Sequence, residues 1–317
     1  MASTSANGRR SGCLTRVYPP IPTTLANVMK PKVLLQIDHA ENPSVFDSIV
    51  GIDSGIDHLL RYGGITPIEV ESIVHGAIFT RGQQHLKNTA LFFGGTKVDR
   101  TQELFEQAKR CFFGPLRVSM MCDPNGSNTT AAAAVLCASN HIDWDEQTVT
   151  ILACTGPVGL RICHLLAKHN LKIQVCSRSF DRAESTCARL LEIHPDANLT
   201  PVEVAVSSDA YRVIKDSSVV FAAGAAGVAL ASNEWTEEGN NIELLIDVNA
   251  VPPAGISGVD VTDNATVRHG KTCYGAIGVG DFKMKIHRRA LQKLFESNEE
   301  ILDTFEIFQI GEQLLNK

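Results

Sequence analysis

The 317-residue sequence predicts an α/β fold in which a Rossmann-like NAD(P)-binding domain is inserted into a smaller α/β domain. Short apolar runs alternate along the chain with segments of helical periodicity, as in parallel sheets covered by helices. One apolar run, 148–153, breaks into a glycine turn and passes directly into a helical segment. Two helical segments follow the last predicted strand, and we expect them to complete the smaller domain.

The smaller domain is predicted to cover residues 30–130. Residues 1–29 contain no acidic residue and are rich in Ser, Thr, Arg and Pro, as a transit peptide would be. We favour instead a disordered tail, or a true start at Met29. The following pattern predicts strands at 33–38, 89–93 and 116–121, and helices beginning near Ser44, at 56–62, after the Thr66–Glu69 capping box and at 101–111.

A polar loop at 123–130 leads into a helix that begins with four alanines. Capping a helix needs one polar side chain, such as Ser127 or Asn128. The loop has many more, so we favour a binding function at this helix N-terminus, where unpaired N–H groups attract polar or anionic ligands. Simple capping is the alternative.

The glycine turn after the strand at 148–153 resembles a phosphate-binding turn. Gly156 would let the backbone approach a pyrophosphate, and Gly159 would let the helix pack close to the strand. The pattern departs from Gly-x-Gly-x-x-Gly at Cys154, and Pro157 offers no N–H. A buried strand–helix joint without a ligand is the alternative.

The next predicted strand, 171–176, ends at Ser177 and Arg178, where an NAD-binding domain is expected to carry a carboxylate. A hydroxyl and a guanidinium suit the 2′-phosphate of NADP instead. The residues therefore favour NADP as the cofactor, and NAD is the alternative. An ordinary exposed arginine is the alternative.

The alternation continues to the C-terminus, and several later strands end in small or polar residues. Strands are predicted at 202–206, 219–227 and 243–250, with Ala223, Gly224 and Asn249 near the cofactor edge. For Asn249, turn chemistry before a proline pair is the alternative. A glycine-rich run from 269 to 280 precedes helices at 281–295 and from 299 onwards. The domain boundaries are thus 131–268 for the Rossmann domain and 269–317 for the returning segment.

The composition excludes several classes of protein. The net charge of −6 argues against a nucleic-acid surface, and no apolar run is long enough to span a membrane. The nine cysteines show no Cys-x-x-Cys spacing, so we predict no metal site. Cysteines inside apolar segments favour a reducing compartment, and we expect a cytoplasmic protein.

Several motifs in the same order resemble the bacterial NAD(P)-dependent methylene-tetrahydromethanopterin dehydrogenases of methylotrophs. The resemblance runs from about residue 30 to the C-terminus and departs from the family at Cys154. It is carried by the segments 43–47, 80–82, 112–115, 125–133, 155–159 and 275–280.

The resemblance implies oxidation of methylene-tetrahydromethanopterin, a one-carbon carrier, to the methenyl form in formaldehyde oxidation, with hydride transfer to NADP or NAD. The product cation is stabilised by two adjacent nitrogens, so alignment matters more than a general base. We expect catalytic roles for Lys271, Asp123 and Asn128, the first because it opens the segment that returns to the smaller domain. The expected substrate-binding residues are Asp38, Arg81, Lys87, Ser127, Thr129 and Thr130; the expected cofactor-binding residues are Thr155, Gly156, Pro157, Val158, Gly159, Ser177, Arg178, Ala223, Gly224 and Asn249.

Two other functions remain open. One is a methylene-tetrahydrofolate dehydrogenase. The bifunctional folate enzymes carry a tyrosine and a lysine on one helix, but here Tyr62 is followed four residues later by Thr66 and not by a lysine. A non-catalytic NADP sensor is the other, favoured by Cys154 and opposed by the polar loop at 123–130. We expect a small-molecule substrate and a homo-oligomer.

Overall fold

The computed structural model describes residues 30–316, which form two sheets, each covered by helices. The strands are β1 Val33–Asp38, β2 His58–Tyr62, β3 Thr89–Gly94, β4 Ser119–Cys122, β5 Thr148–Leu152, β6 Lys172–Ser177, β7 Asn198–Glu203, β8 Val219–Ala222, β9 Leu244–Asp247, β10 Thr266–Arg268, β11 Lys271–Tyr274 and β12 Ile301–Leu302. The helices are α1 Val45–Asp53, α2 Pro67–Phe79, α3 Val98–Arg110, α4 Ser127–Ser139, α5 Pro157–Leu166, α6 Phe180–Ile193, α7 Ala210–Ile214, α8 Ala276–Lys293 and α9 Thr304–Leu315. The predicted tail at 1–29 lies outside the described residues.

The first sheet has the strand order β12-β4-β3-β1-β2, and every pairing in it is parallel. Its last strand comes from near the C-terminus, where Ile301 lies opposite Met120 of β4. The chain therefore returns to the first sheet, and it does so with a short strand that the sequence did not predict, in a segment expected to be helical from residue 299. The helix predicted at 56–62 is wrong, because His58–Tyr62 pairs along the edge of the sheet with β1 and pairing overrides a weak local pattern.

The second sheet has the order β10-β11-β9-β8-β5-β6-β7. Six of these strands are parallel and follow the 3-2-1-4-5-6 order of a Rossmann domain: β7, β6, β5, β8, β9 and β11. Strand β10 is added antiparallel at the edge. The predicted Rossmann-like fold is confirmed. β11 belongs to this sheet and not to the returning segment, because the side chains of Cys273 and Tyr274 are buried in it.

Helix α4 connects the two sheets and is buried on all sides. The alanines at 131–134 are fully buried, and the helix packs against α5, α8 and α9. A helix that is apolar all round belongs in a protein interior, and small residues allow close approach of its neighbours. The predicted domain boundary between residues 130 and 131 falls inside this helix, so α4 is shared by both sheets. No helix within 30–316 has the length and hydrophobicity needed to cross a bilayer.

Candidate active site

A cleft of about 710 Å³ lies at the carboxyl ends of β5, β6 and β8. This is the crevice in which Rossmann domains bind dinucleotides, and its volume is within the range of cofactor sites. Most of the predicted cofactor residues line it: Thr155, Gly156, Pro157, Val158, Ser177, Arg178, Ala223 and Gly224.

The glycine turn fits a bound pyrophosphate. A side chain at Gly159 would put a Cβ 2.7 Å from the Cα of Cys154, so glycine is needed for the close contact of α5 with the turn. Gly156 lies at the start of α5, whose first N–H groups have no partner within the helix. The Cys154 side chain is fully buried and its thiol contacts the carbonyl oxygen of Gly159 at 3.6 Å. The cysteine therefore does not occupy the cleft.

Positive charge marks one end of this cleft. Arg178 and Arg182 line it together with Ser177 and Ser207, and no carboxylate of the described residues contributes to its lining. A bound NAD ribose usually meets a carboxylate here, whereas arginine and hydroxyl groups bind a 2′-phosphate. Sequence reasoning missed Arg182 and Ser207. For Arg182 a signal existed, since it follows Arg178 by four residues at the start of a helix.

Asn249 lies beside the cleft but is used by its own turn. Its side-chain oxygen accepts hydrogen bonds from the N–H groups of Gly227 and Val251, and its amide donates to the carbonyl oxygen of Pro253. The alternative role that the sequence left open, turn chemistry before the prolines, is the one these contacts describe.

A second, smaller cavity of about 290 Å³ lies at the carboxyl edge of the first sheet. Asp38 at the end of β1 and Asp47 on α1 line it, opposite Lys283 on α8. The ring of Phe46 lies 4.7 Å from the Lys283 ammonium group, a cation–π contact. This cavity, which we call the acidic cavity, therefore combines carboxylates, one ammonium group and an aromatic face.

Burial raises the pKa of Asp47 to about 7, and the charge of Asp123 adds to the effect. Hydrogen bonding with Ser44 and the charge of Lys283 oppose it. The Asp47 side chain is 7% exposed, so its carboxyl group is held largely away from water. A carboxyl group with such a pKa changes charge near neutral pH, which is typical of functional sites.

Two glycines help to keep this cavity open. A Cβ at Gly95 would lie 2.7 Å from an Asp38 oxygen, and one at Gly126 would lie 2.7 Å from the Lys283 nitrogen. Gly95 and Gly126 also have positive φ angles, which favour glycine.

The polar loop at 123–130 is mostly occupied with its own structure. Asp123 caps α4 by accepting hydrogen bonds from the N–H groups of Asn128 and Thr129 and from the Thr129 hydroxyl. The hydroxyls of Ser127 and Thr130 donate to carbonyl oxygens within the loop, those of Pro124 and Gly126.

Asn128 is a buried junction between elements. Its amide nitrogen donates to the carbonyl oxygen of Cys122 and to Asp303, and its oxygen accepts from Arg161 and Thr304. These four bonds use the full hydrogen-bonding capacity of the side chain. Its position therefore supports a role in joining β4, α5 and α9 and not contact with substrate.

Three predicted residues lie at the opposite, amino edge of the strands. Arg81 donates to the carbonyl oxygens of Pro31 and Asn88. Lys87 is exposed in the turn that precedes β3. Lys271 is the first residue of β11 and donates to the carbonyl oxygen of Ile242. The structure therefore does not bring these residues to either of the two cavities described above, which both lie at the carboxyl edge.

Lys283 and Asp47 were missed by sequence reasoning. The glycine-rich run was taken as a loop leading to a helix at 281, but α8 already begins at Ala276. Gly275 and Gly278 let it pack directly on the backbone of residues 260–263, since a Cβ at either would lie 2.0 Å from a carbonyl oxygen. The lysine of the site is therefore found in this helix. Asp47 was read only as part of a helix start.

The two cavities share one lining residue, Asn125, so the second cavity lies next to the cofactor cleft. The fold and the site together define an NAD(P)-binding protein of the Rossmann class with a second ligand site beside the cofactor. Within residues 30–316 no group of three or more His, Cys, Asp or Glu side chains is arranged to hold a metal ion.

Comparison with known proteins identifies the family. Residues 45–125 match the family described as methylene-tetrahydromethanopterin dehydrogenase, N-terminal. The chain is 40% identical over 288 residues to the bifunctional protein MdtA of Methylorubrum extorquens, covering 90% of this chain and 100% of that protein. It is 27% identical over 295 residues to the NAD(P)-dependent methylenetetrahydromethanopterin dehydrogenase of the same organism, covering 90% and 99%. The chain belongs to the methylene-tetrahydromethanopterin dehydrogenase family.

Among solved structures, the chain is similar to shikimate 5-dehydrogenase from Listeria monocytogenes in complex with shikimate and NAD. The TM-score is 0.50 at 13% sequence identity, with 94% of this chain and 99% of that chain covered. This similarity supports the two-sheet fold.

Proposed function

We propose that this chain oxidises methylene-tetrahydromethanopterin to the methenyl form with NADP in one-carbon metabolism. The family membership supports the reaction. The observation that carries the proposal is the meeting of two chemically different cavities at Asn125, one with arginines at its far end and one with carboxylates and a lysine. Such an arrangement suits a reaction that joins a dinucleotide to a second, nitrogen-rich substrate.

The reaction moves one hydride and no proton. A C–H bond of the bridging methylene carbon breaks and both electrons leave with the hydrogen, so the carbon becomes a cation shared with its two flanking nitrogens. When bound in the cleft, NADP would supply the hydride acceptor. The protein then has to align two ligands, exclude water and accommodate a new positive charge.

The acidic cavity is suited to that charge. Asp38 and Asp47 would stabilise a cation that develops nearby, and their oxygens can accept hydrogen bonds from the N–H groups of a pterin ring. Lys283 would donate to acceptor atoms of the ring and offset part of the carboxylate charge. The Phe46 ring adds an apolar face on which a flat ligand can stack.

The arginine end of the cleft supports NADP over NAD. Arg178 and Arg182 line the cleft just after β6, where a Rossmann domain is expected to hold the adenosine ribose, and they would bind a 2′-phosphate there. The predicted sensor is less well supported, because the Cys154 thiol is buried outside the cleft and leaves room for the cofactor.

The first test is the absorbance of reduced nicotinamide. The purified chain would be mixed with methylene-tetrahydromethanopterin or methylene-tetrahydrofolate, each with NADP or NAD. We expect rapid reduction of NADP with the methanopterin substrate. Faster reduction with the folate substrate would change the proposed substrate, and NADP binding without reduction of either would favour a sensor.

The cofactor preference is tested by Arg178→Ala and Arg182→Ala. Losing a charge-assisted hydrogen bond to a phosphate raises the KM for NADP by roughly 10- to 100-fold and leaves that for NAD nearly unchanged. Arg189→Ala is the matched control, since Arg189 is exposed on the same helix, α6, outside the cleft. Equal effects on NADP and NAD would contradict the assignment of the 2′-phosphate.

We also propose that the protein forms a homo-oligomer in the cytoplasm. Val45, Ile49 and Ile52 form an exposed apolar stripe on α1, of the kind that often marks an interface. The buried thiols of residues 30–316 suit a reducing compartment. Light scattering of the purified protein would test the oligomer, and Ile49→Glu would be expected to weaken it.

A further inference from the structure

One side chain of the polar loop at 123–130 differs from all its neighbours. Asn125 is exposed, whereas Asp123, Pro124 and the residues at 126–129 are buried. The hydrogen bonds described above turn the polar groups of its neighbours inward. The amide of Asn125 makes no hydrogen bond within residues 30–316. The loop thus holds a single free amide at its surface in this part of the chain.

The backbone holds this amide in a demanding conformation. Asn125 has φ 53° and ψ 25°, the left-handed region that few residues other than glycine adopt and that asparagine tolerates best. Gly126 follows with φ 61°. Two consecutive left-handed residues form a tight turn, which the Asp123 cap and the buried hydroxyls hold in place. Unusual backbone conformations of this kind are found at ligand sites.

Asn125 lies where the two cavities meet. It lines both the cofactor cleft and the acidic cavity. It follows β4 of the first sheet, so the first sheet's side of the molecule contributes a residue to the cofactor cleft. Arg178 follows β6, on one side of the central strand β5, and marks the adenosine end of the cleft. The nicotinamide end is then on the β8 side, as in other Rossmann domains. A hydride that passes from a ligand in one cavity to a ligand in the other would therefore be transferred near Asn125.

We propose that the amide of Asn125 contacts the nicotinamide end of the cofactor and the one-carbon bridge of the substrate, and holds them at hydride-transfer distance. This inference rests on the function proposed above and adds a positioning residue to it. An amide offers both a donor and an acceptor, so it can bond a carboxamide on one side without introducing a charge next to the developing cation. The rigid turn limits how far either ligand can shift.

The test compares Asn125→Gly with the wild type. Glycine keeps the left-handed turn and removes the amide, so the fold should be preserved. A misplacement of about 1 Å at a reacting centre lowers turnover by about 100-fold. We expect a loss in kcat of roughly that size, with the Kd for NADP changed less than about twofold, because the adenosine and pyrophosphate contacts remain.

A kinetic isotope effect separates positioning from a structural role. With a substrate deuterated at the methylene carbon, the isotope effect on kcat should rise in Asn125→Gly, because hydride transfer then limits turnover. Asn125→Asp tolerates the same turn and keeps an acceptor, and we expect a smaller loss. Asn140→Gly, an exposed site at the other end of α4, controls for the effect of glycine on stability.

The outcomes separate the two proposals. An active wild type and an Asn125→Gly variant with kcat within about threefold of it would overturn this inference and leave the proposed function intact. An equal loss in NADP affinity and kcat, with an unchanged isotope effect, would also overturn it. A wild type that reduces neither cofactor with the methanopterin substrate would overturn the proposed function, and this inference with it.

Discussion

Replacing Asp47 by asparagine should change how the stability of the protein depends on pH. In the wild type this carboxyl group has a pKa of about 7, because burial and the charge of Asp123 disfavour its ionised form. In the unfolded chain it would titrate near the ordinary value of 3.8. The native state therefore holds a proton that the unfolded state has already released over the intervening pH range.

The sign and size of the effect follow from this difference. Because the native state binds the extra proton, the contribution of Asp47 to stability is lost as pH rises through the folded pKa. Integrating its titration from about pH 5.5 to about pH 8.5 gives a loss of about 2 kcal/mol in the free energy of unfolding. Asparagine has nearly the same shape and does not titrate, so its variant lacks this loss.

Two buried histidines act in the opposite direction. Burial lowers the pKa values of His164 and His287 to about 4, so the unfolded state binds more protons than the native state below their ordinary pKa. Their contribution increases stability as pH rises through that range. The quantity that isolates Asp47 is therefore the difference between the wild type and Asp47→Asn at each pH, in which the histidine contributions cancel.

Urea unfolding at several pH values measures this difference. The advantage of Asp47→Asn over the wild type should grow by about 2 kcal/mol between the lowest and the highest pH. Asp53→Asn, at an exposed position on the same helix, should follow the wild type within about 0.5 kcal/mol. A difference between Asp47→Asn and the wild type that stays constant with pH would refute the reasoning.

Three further predictions concern the site and its frame. Lys283→Met should raise the KM for the pterin substrate by roughly 10-fold and leave the Kd for NADP unchanged, since the lysine lines the acidic cavity. Steady-state kinetics measures the KM and titration calorimetry measures the Kd, and a change in NADP affinity alone would contradict the assignment. Lys271→Ala should leave kcat within about twofold of the wild type, because its side chain bonds the Ile242 carbonyl at the far edge of the sheet, and a large loss of turnover would restore the sequence-based role. Gly159→Ala should lower the free energy of unfolding by about 2 kcal/mol and weaken NADP binding, because the new Cβ would press on Cys154; wild-type stability in urea would speak against the close packing.

The sequence was informative where one local pattern determines both structure and chemistry. The turn at Gly156 and Gly159 and the residues at the end of β6 follow directly from the strand–turn–helix order, and most of the predicted cofactor residues line the cleft. The parallel sheets also followed from the alternation of elements, because a helix between two strands connects them in parallel.

The substrate cavity was much harder to predict, because its residues are distant in sequence. Asp38, Asp47 and Lys283 meet only when three elements pack together, and Lys283 lies more than two hundred residues after the aspartates. Two candidates, Arg81 and Lys271, were chosen for their charge and their place along the chain. Arg81 and Lys271 are basic residues near turns, but the turns lie at the amino edge of the sheets. Residue type shows which interactions a side chain can make. Whether the side chain lies at the amino or the carboxyl edge of the sheet decides whether a ligand can reach it.

The edge strand β12 has a consequence for how the chain is made. Glu300 donates its N–H to the Ser119 hydroxyl across a separation of 181 residues, so the first sheet is incomplete until residues 300–302 have been synthesised. The strands of the second sheet lie between residues 148 and 274 and emerge as one uninterrupted segment. The cofactor-binding sheet can therefore fold during synthesis. Until β12 has been made, the first sheet has only four strands, and one edge of β4 is unpaired. A chain truncated after residue 297 would leave that edge open, in a polypeptide whose cofactor-binding strands are all present.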